Sequence, residues 1–100
     1  HKGDLMKSIM EPQDTEWCYL CGRRGYLETH HVVGGNPGRK LSEQYGLKVR
    51  LCYECHRGQD GVHANKTKRR LLQRKAQEAF ERQHPEKSWI KIFRRNYKAE

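Results

Sequence analysis

The sequence predicts a small α+β domain stapled by zinc and followed by C-terminal helices. Three observations lead there. Four cysteines fall as two C-x2-C pairs, Cys18/Cys21 and Cys52/Cys55, with 30 residues between them. Residues 26–33 and 47–51 have strand character, and residues 67–83 repeat with the helical period. The chain has 100 residues, 34% of them hydrophobic, and a mean hydropathy of −1.15, so it can bury only a modest core and needs a metal, disulfides or a partner to help hold it.

The order of elements follows from local signals. The chain begins with His1 rather than Met, and residues 1–15 read as a flexible tail or a trimmed, vector-derived end. Residues 16–84 read as the domain and 85–100 as a basic helix that packs on it or extends it. A first cysteine knuckle runs from Glu16 to Gly25. Tyr26 to Val33 then reads as a strand, rich in aromatic, β-branched and Thr/His positions. Gly34-Gly35-Asn36-Pro37-Gly38 ends it as a loop, and a polar stretch follows around Ser42 and Gly46. Leu47-Lys48-Val49-Arg50-Leu51 alternates strictly, as a half-buried strand does, and leads into the second knuckle. From Thr67 to Gln83 the apolar positions Leu72, Ala76, Ala79 and Phe80 share one side of a long helix. His84-Pro85 stops it, with Pro85 placed for the first turn of a second helix carrying Trp89, Ile90, Phe93 and Tyr97. These four are read as packing residues, with stacking on a base as the other use of an aromatic there.

Two residues between cysteines let both thiolates of a knuckle face one ion, and two knuckles complete the tetrahedron that zinc prefers. The alternative, a pair of disulfides in a secreted chain, lacks an apolar signal segment, and no apolar run is long enough to span a membrane. A reducing cytoplasm is therefore expected. The net charge of +9 is uneven: residues 1–63 carry 9 Lys/Arg against 8 Asp/Glu, and residues 64–100 carry 12 against 4. That surplus points to a polyanion bound through its phosphates, most simply nucleic acid. The densest run is Lys66, Lys68, Arg69, Arg70, Arg74 and Lys75, with Arg39 and Lys40 behind the Gly-rich loop as a second candidate contact. A solvated face is the bland reading of both.

Four of the six histidines, His30, His31, His56 and His63, lie close to the cysteines in sequence. Neutral imidazoles ligate divalent metals and can take a proton from water near neutral pH, a combination that suits metal-assisted hydrolysis. Singly, each is more simply a surface histidine or a zinc ligand.

The order C-x2-C, His30-His31-Val32 at a strand end, Gly-rich loop, strand, Leu51-Cys52-x2-Cys55-His56 resembles the HNH endonucleases, whose core is a treble-clef-like ββα-metal finger. The resemblance covers about residues 17–75. His30-His31-Val32-x-Gly34-Gly35 with the later Ser42-Glu43-x-Tyr45-Gly46-Leu47 is similar to small phage and prophage members, among them RecA-dependent recombination-enhancement nucleases. The resemblance implies a DNA endonuclease in which His31 is the general base and His30, His56 and His63 hold a catalytic divalent ion (Mg2+, Mn2+, Ni2+ or Zn2+). It also implies 5′-phosphate products, a structural Zn2+ on Cys18, Cys21, Cys52 and Cys55, and DNA contacts from Arg39, Lys40, Lys66, Lys68, Arg69, Arg70 and Arg74. A recombinase or a phage packaging component would be the protein partner. The family's usual asparagine before the second knuckle is missing, leaving Asn36 and Asn65 as candidates for its role. The step from His56 to His63 is longer than the family's usual spacing, and Gly58 and Gly61 interrupt any helix across it. Neighbours in a regular strand face opposite ways, so His30 and His31 share a site only if the strand bends or ends there. A zinc finger that grips DNA or RNA without cutting, and a nuclease switched on by a partner, are the competing readings.

Overall fold

A computed structural model describes residues 7–99. Within it the chain forms an α+β unit: β1 (Glu28–His31), α1 (Gly38–Tyr45), β2 (Lys48–Leu51), α2 (Tyr53–Arg57), α3 (Lys66–Gln83), α4 (Trp89–Phe93) and a closing 3-10 turn at Tyr97–Ala99. The two strands form one antiparallel pair in which Glu28 faces Leu51, Thr29 faces Arg50, His30 faces Val49 and His31 faces Lys48. Both expected strands are present, each shorter than its apolar pattern.

The helix α1 lies where the sequence shows only a polar stretch. Its first residue follows Pro37, no side chain caps it, and no acidic residue occupies its first turn. Tertiary hydrogen bonds hold it instead. The Ser42 hydroxyl, fully buried, donates to the Val33 carbonyl at 2.8 Å and accepts from the Val33 amide at 3.1 Å. That pair replaces the partners Val33 loses where β1 ends. Gly46 stops the helix in the left-handed region at φ 72°, and a Cβ there would also collide with the backbone of Lys7.

The segment from Lys7 onward, read from sequence as part of a tail, lies against the outer edge of β2; residues 1–6 fall outside the described residues. Ile9 donates to the Gly46 carbonyl, the Ser8 hydroxyl to the Lys48 carbonyl, and the Arg50 amide to the Glu11 carboxylate. Tyr19 donates to the Arg50 carbonyl from the other end. The outer edge of β2 is thereby largely covered rather than left as a template for another chain.

Beneath the sheet, α3 presents Leu72, Ala76 and Phe80, all fully buried, as its helical period requires. Asn65 caps this helix by accepting from the Lys68 amide. The C-terminal segment departs from the single helix expected over 85–100. Ser88, not Pro85, starts α4; the helix ends after one turn with Arg94 left-handed at φ 65°; and the chain returns as the turn carrying Tyr97. Interactions with α3 decide this path. Trp89 is 1% exposed, stacks on Phe93 at 3.9 Å and donates from its indole to the Arg95 carbonyl, while the Tyr97 amide donates to Gln77 of α3. The packing role expected for Trp89, Phe93 and Tyr97 is what these contacts provide, whereas Ile90 is half exposed.

Phe80 touches Tyr45, Trp89, Phe93 and His84 at once and is completely buried. Phe80→Ala is expected to lower unfolding stability by about 3–5 kcal/mol, and Ile90→Ala by no more than about 0.5 kcal/mol, in urea titrations at fixed zinc concentration. Equal losses would show that the aromatic cluster is not the core of this unit.

Candidate functional site

Two clusters of metal-ligating side chains stand out among the described residues. The first joins the knuckles. Cys18, Cys21, Cys52 and Cys55 offer four sulfurs, all within 4.8 Å of one another and none in a disulfide. Tight local turns make this possible. Cys18 and Arg23 exchange a backbone hydrogen bond and Gly22 donates back to the Cys18 carbonyl, while Cys52 is the N-cap of α2, which turns Cys55 toward it. The Cys21 and Cys52 sulfurs are 3.7 Å apart, against about 3.8 Å for two thiolates on one tetrahedral zinc. The four cysteines could therefore bind one structural zinc ion. Without a cation the sulfurs crowd one another: burial and the neighbouring thiols push Cys55 well above its ordinary value. For Cys18 burial acts in the same direction, but hydrogen bonds from the Cys21, Cys52 and Leu20 amides outweigh it and bring the thiol to about 7.

The second cluster gathers His30, His56 and His63 from β1, α2 and the loop before α3, with donor nitrogens again within 4.8 Å of one another. The ring centroids are 5.2 Å apart for His30–His56 and His30–His63, and 4.8 Å for His56–His63. The long step from His56 to His63 is closed by the glycines that interrupt the helix. After α2 the chain folds back onto its last carbonyls, with Val62 donating to Cys55 at 2.7 Å, and a Cβ at Gly58 or Gly61 would strike the backbone of residues 54–55. Arg69 then secures the loop by donating to the carbonyls of Val62 and His63.

His30 is 5% exposed, and its Nε2 is buried with no hydrogen-bond partner. A buried imidazole nitrogen beside two other imidazoles is an expensive arrangement unless a cation or an ordered water completes it. Burial, then the nearby rings of His56, His63 and His31, depress His30 to about 3; burial and His56 lower His63 as well. Both are therefore neutral lone-pair donors near neutral pH. Glu28, on the same strand face as His30, holds His56 through its Nδ1 at 2.7 Å and also pairs with Arg57. That leaves the other nitrogen of His56 for the cluster, as carboxylate partners do for metal-bound histidines. The His56 hydrogen bond, with Arg57 beside it, keeps Glu28 below the usual carboxylate range.

His31 lies apart from this triad. Pairing with β2 stays regular through His31, so strand alternation places Glu28 and His30 on one face and Thr29 and His31 on the other. The bend that would bring both histidines onto one ion is absent from the paired strand. His31 instead meets Glu43 of α1, Nε2 to Oε1 at 2.8 Å, and the other oxygen of Glu43 accepts from Lys48 at 2.8 Å. Lys48, then burial in the opposite sense, then His31 account for Glu43 lying below the usual carboxylate range. These residues border an open groove of about 870 Å³ that includes Asn36, Arg39 and Lys40. His30 and His31 are adjacent in β1, so the triad and the groove lie on opposite faces of the same strand.

The basic residues divide. Arg39 and Lys40 are exposed at the groove, and Lys66 and Lys75 are exposed on α3, with Arg74 partly so. Lys68 is engaged by Asp60, Arg69 by the His63 loop, and Arg70 by Gln73 and the Tyr97 ring. Asn36 borders the groove, while Asn65 is committed to capping α3. Sequence reasoning missed Glu28 and Glu43. Glu28 was legible as the i−2 partner of His30 on one strand face; Glu43 stood in the Ser42-Glu43-x-Tyr45 motif of the resemblance, but no local spacing tied it to His31.

No protein-family model, characterised protein or solved structure matches the chain. Among the described residues no helix is long and apolar enough to cross a membrane.

The purified chain is expected to retain one zinc ion through dialysis and to give a thiolate-to-metal charge-transfer band on cobalt substitution. Cys52→Ser should lose both, together with cooperative unfolding. Because protons compete for the thiolates, zinc should be released as pH falls, not as it rises. A chain that keeps its fold and melting temperature in strong chelator would remove zinc from the account.

Proposed function

We propose that this chain is a metal-dependent endonuclease that hydrolyses DNA phosphodiester bonds, as its sequence resemblance to HNH enzymes implies. One observation carries the reading: the imidazoles of His56 and His63 converge on His30, whose Nε2 is buried without a partner, with a fourth histidine, His31, beside a groove edged by Arg39 and Lys40. A closed tetrathiolate staple has no open position for chemistry, whereas three imidazoles leave coordination positions for water and substrate.

A divalent ion on His30, His56 and His63 would supply Lewis-acid stabilisation of the charge that gathers on the phosphate and on the departing oxygen. Arg39 and Lys40 hold the phosphate backbone in the groove without reading sequence. Because His31 and the triad lie on opposite faces of β1, a phosphate served by both must straddle the strand end at His31; there His31 takes a proton from a water as its oxygen attacks phosphorus. The P–O3′ bond breaks on the opposite side, the 3′ oxygen leaves with its electron pair and is protonated from solvent, and the new hydroxyl stays on a 5′-phosphate. His31 then returns its proton to solvent. Glu28 keeps His56 turned toward the triad throughout.

Lys68, Arg69 and Arg70 of the dense basic run are engaged within the chain, so the run favours a binding-only module less than its sequence suggests. Partner dependence, on a recombinase or a phage packaging component, is compatible with the same residues and is tested by adding the partner.

Supercoiled plasmid with Mg2+, Mn2+, Ni2+ or Zn2+ is the test. Nicking is expected from the intact chain and is expected to fall about 10²- to 10⁴-fold in His31→Ala, with the cysteine-bound zinc retained. His30→Ala should abolish nicking and one class of weak divalent binding while sparing that zinc. Lys40→Glu should weaken DNA binding and reduce its salt dependence by about one to two counterions. No nicking with any metal, joined to salt-sensitive DNA retention, would replace the enzyme with a binding module.

A further inference from the structure

We propose that Glu43 is the positioning residue for His31, a residue lining the groove, holding its imidazole as the Nε2–H tautomer so that Nδ1 carries the lone pair. The catalytic consequence rests on the nuclease reading; the tautomer does not.

Glu43 stands between two donors. Its Oε2 accepts from the Lys48 ammonium at 2.8 Å, and its Oε1 lies 2.8 Å from His31 Nε2. A carboxylate held by an ammonium is ionised and can only accept, so the facing imidazole nitrogen must carry a hydrogen. A neutral imidazole has one such hydrogen, which leaves Nδ1 as its basic atom. Solvent competes little for these bonds, because the side chains of His31, Lys48 and Glu43 are 19%, 14% and 29% exposed.

The arrangement is built into the fold from both sides. Lys48 stands directly opposite His31 in the strand pair. Glu43 follows Ser42, whose two hydrogen bonds pin α1 to Val33, two residues beyond His31. The carboxylate is thus delivered by a helix anchored to the same strand end that carries the imidazole, and its own bonds to Lys48 and His31 fix its rotamer.

Glu43→Gln tests this with the shape conserved. Lys48 still requires an acceptor, so the amide oxygen turns to Lys48 and the amide NH2 to His31. Nε2 must then accept, and the hydrogen moves to Nδ1. Two-bond 1H–15N spectra of the zinc-loaded full chain are expected to show Nε2–H in the native protein and Nδ1–H in Glu43→Gln, with the zinc content and melting temperature of the two alike. In nicking assays kcat should fall about 10²-fold or more in Glu43→Gln while KM for plasmid moves less than about twofold. Glu43→Gln/His31→Ala should nick no more slowly than His31→Ala alone. If Glu43→Gln loses its zinc, the native spectrum and Lys48→Met decide instead: Lys48→Met frees the amide-independent carboxylate but keeps Nε2–H. An Nδ1–H native protein, or an unaltered tautomer in Glu43→Gln, overturns the proposal. A native chain that has Nε2–H and never nicks supports the Glu43 assignment and refutes the nuclease reading.

Discussion

The rest of the structure depends on the four sulfurs of Cys18, Cys21, Cys52 and Cys55 meeting at one point. Two strands of four residues and one long helix cannot by themselves offset the entropy of ordering a chain this polar. A shared ion would tie the turn before β1 to the N-cap of α2 and close the intervening chain into a loop. Structural zinc of this kind contributes on the order of 10 kcal/mol, comparable to the whole stability of a small domain. Once that joint is made, β1, β2 and α2 have little choice of relative position, and His30 and His56 are carried to within reach of each other.

Strand alternation then sorts the histidines. Residues 28 and 30 share one face and residues 29 and 31 the other, and a carboxylate meets one histidine on each side: Glu28 of β1 meets His56, and Glu43 of α1 meets His31. Glu28 fixes His56 beside His30 and His63, while Glu43 sits with an imidazole that borders an open groove. Adjacent histidines in one strand thereby acquire separate environments without any distortion of the pairing.

Charge is divided in a similar way. The C-terminal surplus of lysine and arginine would suggest a continuous binding face along α3, yet Arg69 ties down the His63 loop and Arg70 lies over Tyr97. Of the basic residues in that run and behind the Gly-rich loop, Arg39 and Lys40 at the groove and Lys66 and Lys75 on α3 are exposed. Basic residues near the histidine cluster thus shape the site as well as its surroundings.

The sequence by itself determined what short-range spacing determines: the two cysteine knuckles, the alternation of both strands, the buried stripe of Leu72, Ala76 and Phe80, and the end of α3 at His84-Pro85. Each is settled by contacts within a few residues, so each leaves a local pattern. Only the tertiary structure decided the rest. The helix α1 has no cap and owes its place to Ser42 bonding Val33; the return of His63 to His56 depends on how closely Gly58 and Gly61 let backbone approach backbone. The C-terminal helix breaks after Phe93 because Trp89 and Tyr97 are claimed by Arg95 and Gln77. The meeting of Glu43 with His31 spans 12 residues and a change of element. Partners brought together by packing leave no periodic trace in the chain, which is why the cysteines and histidines could be picked out as candidate ligands by spacing and the meeting of Glu43 with His31 could not.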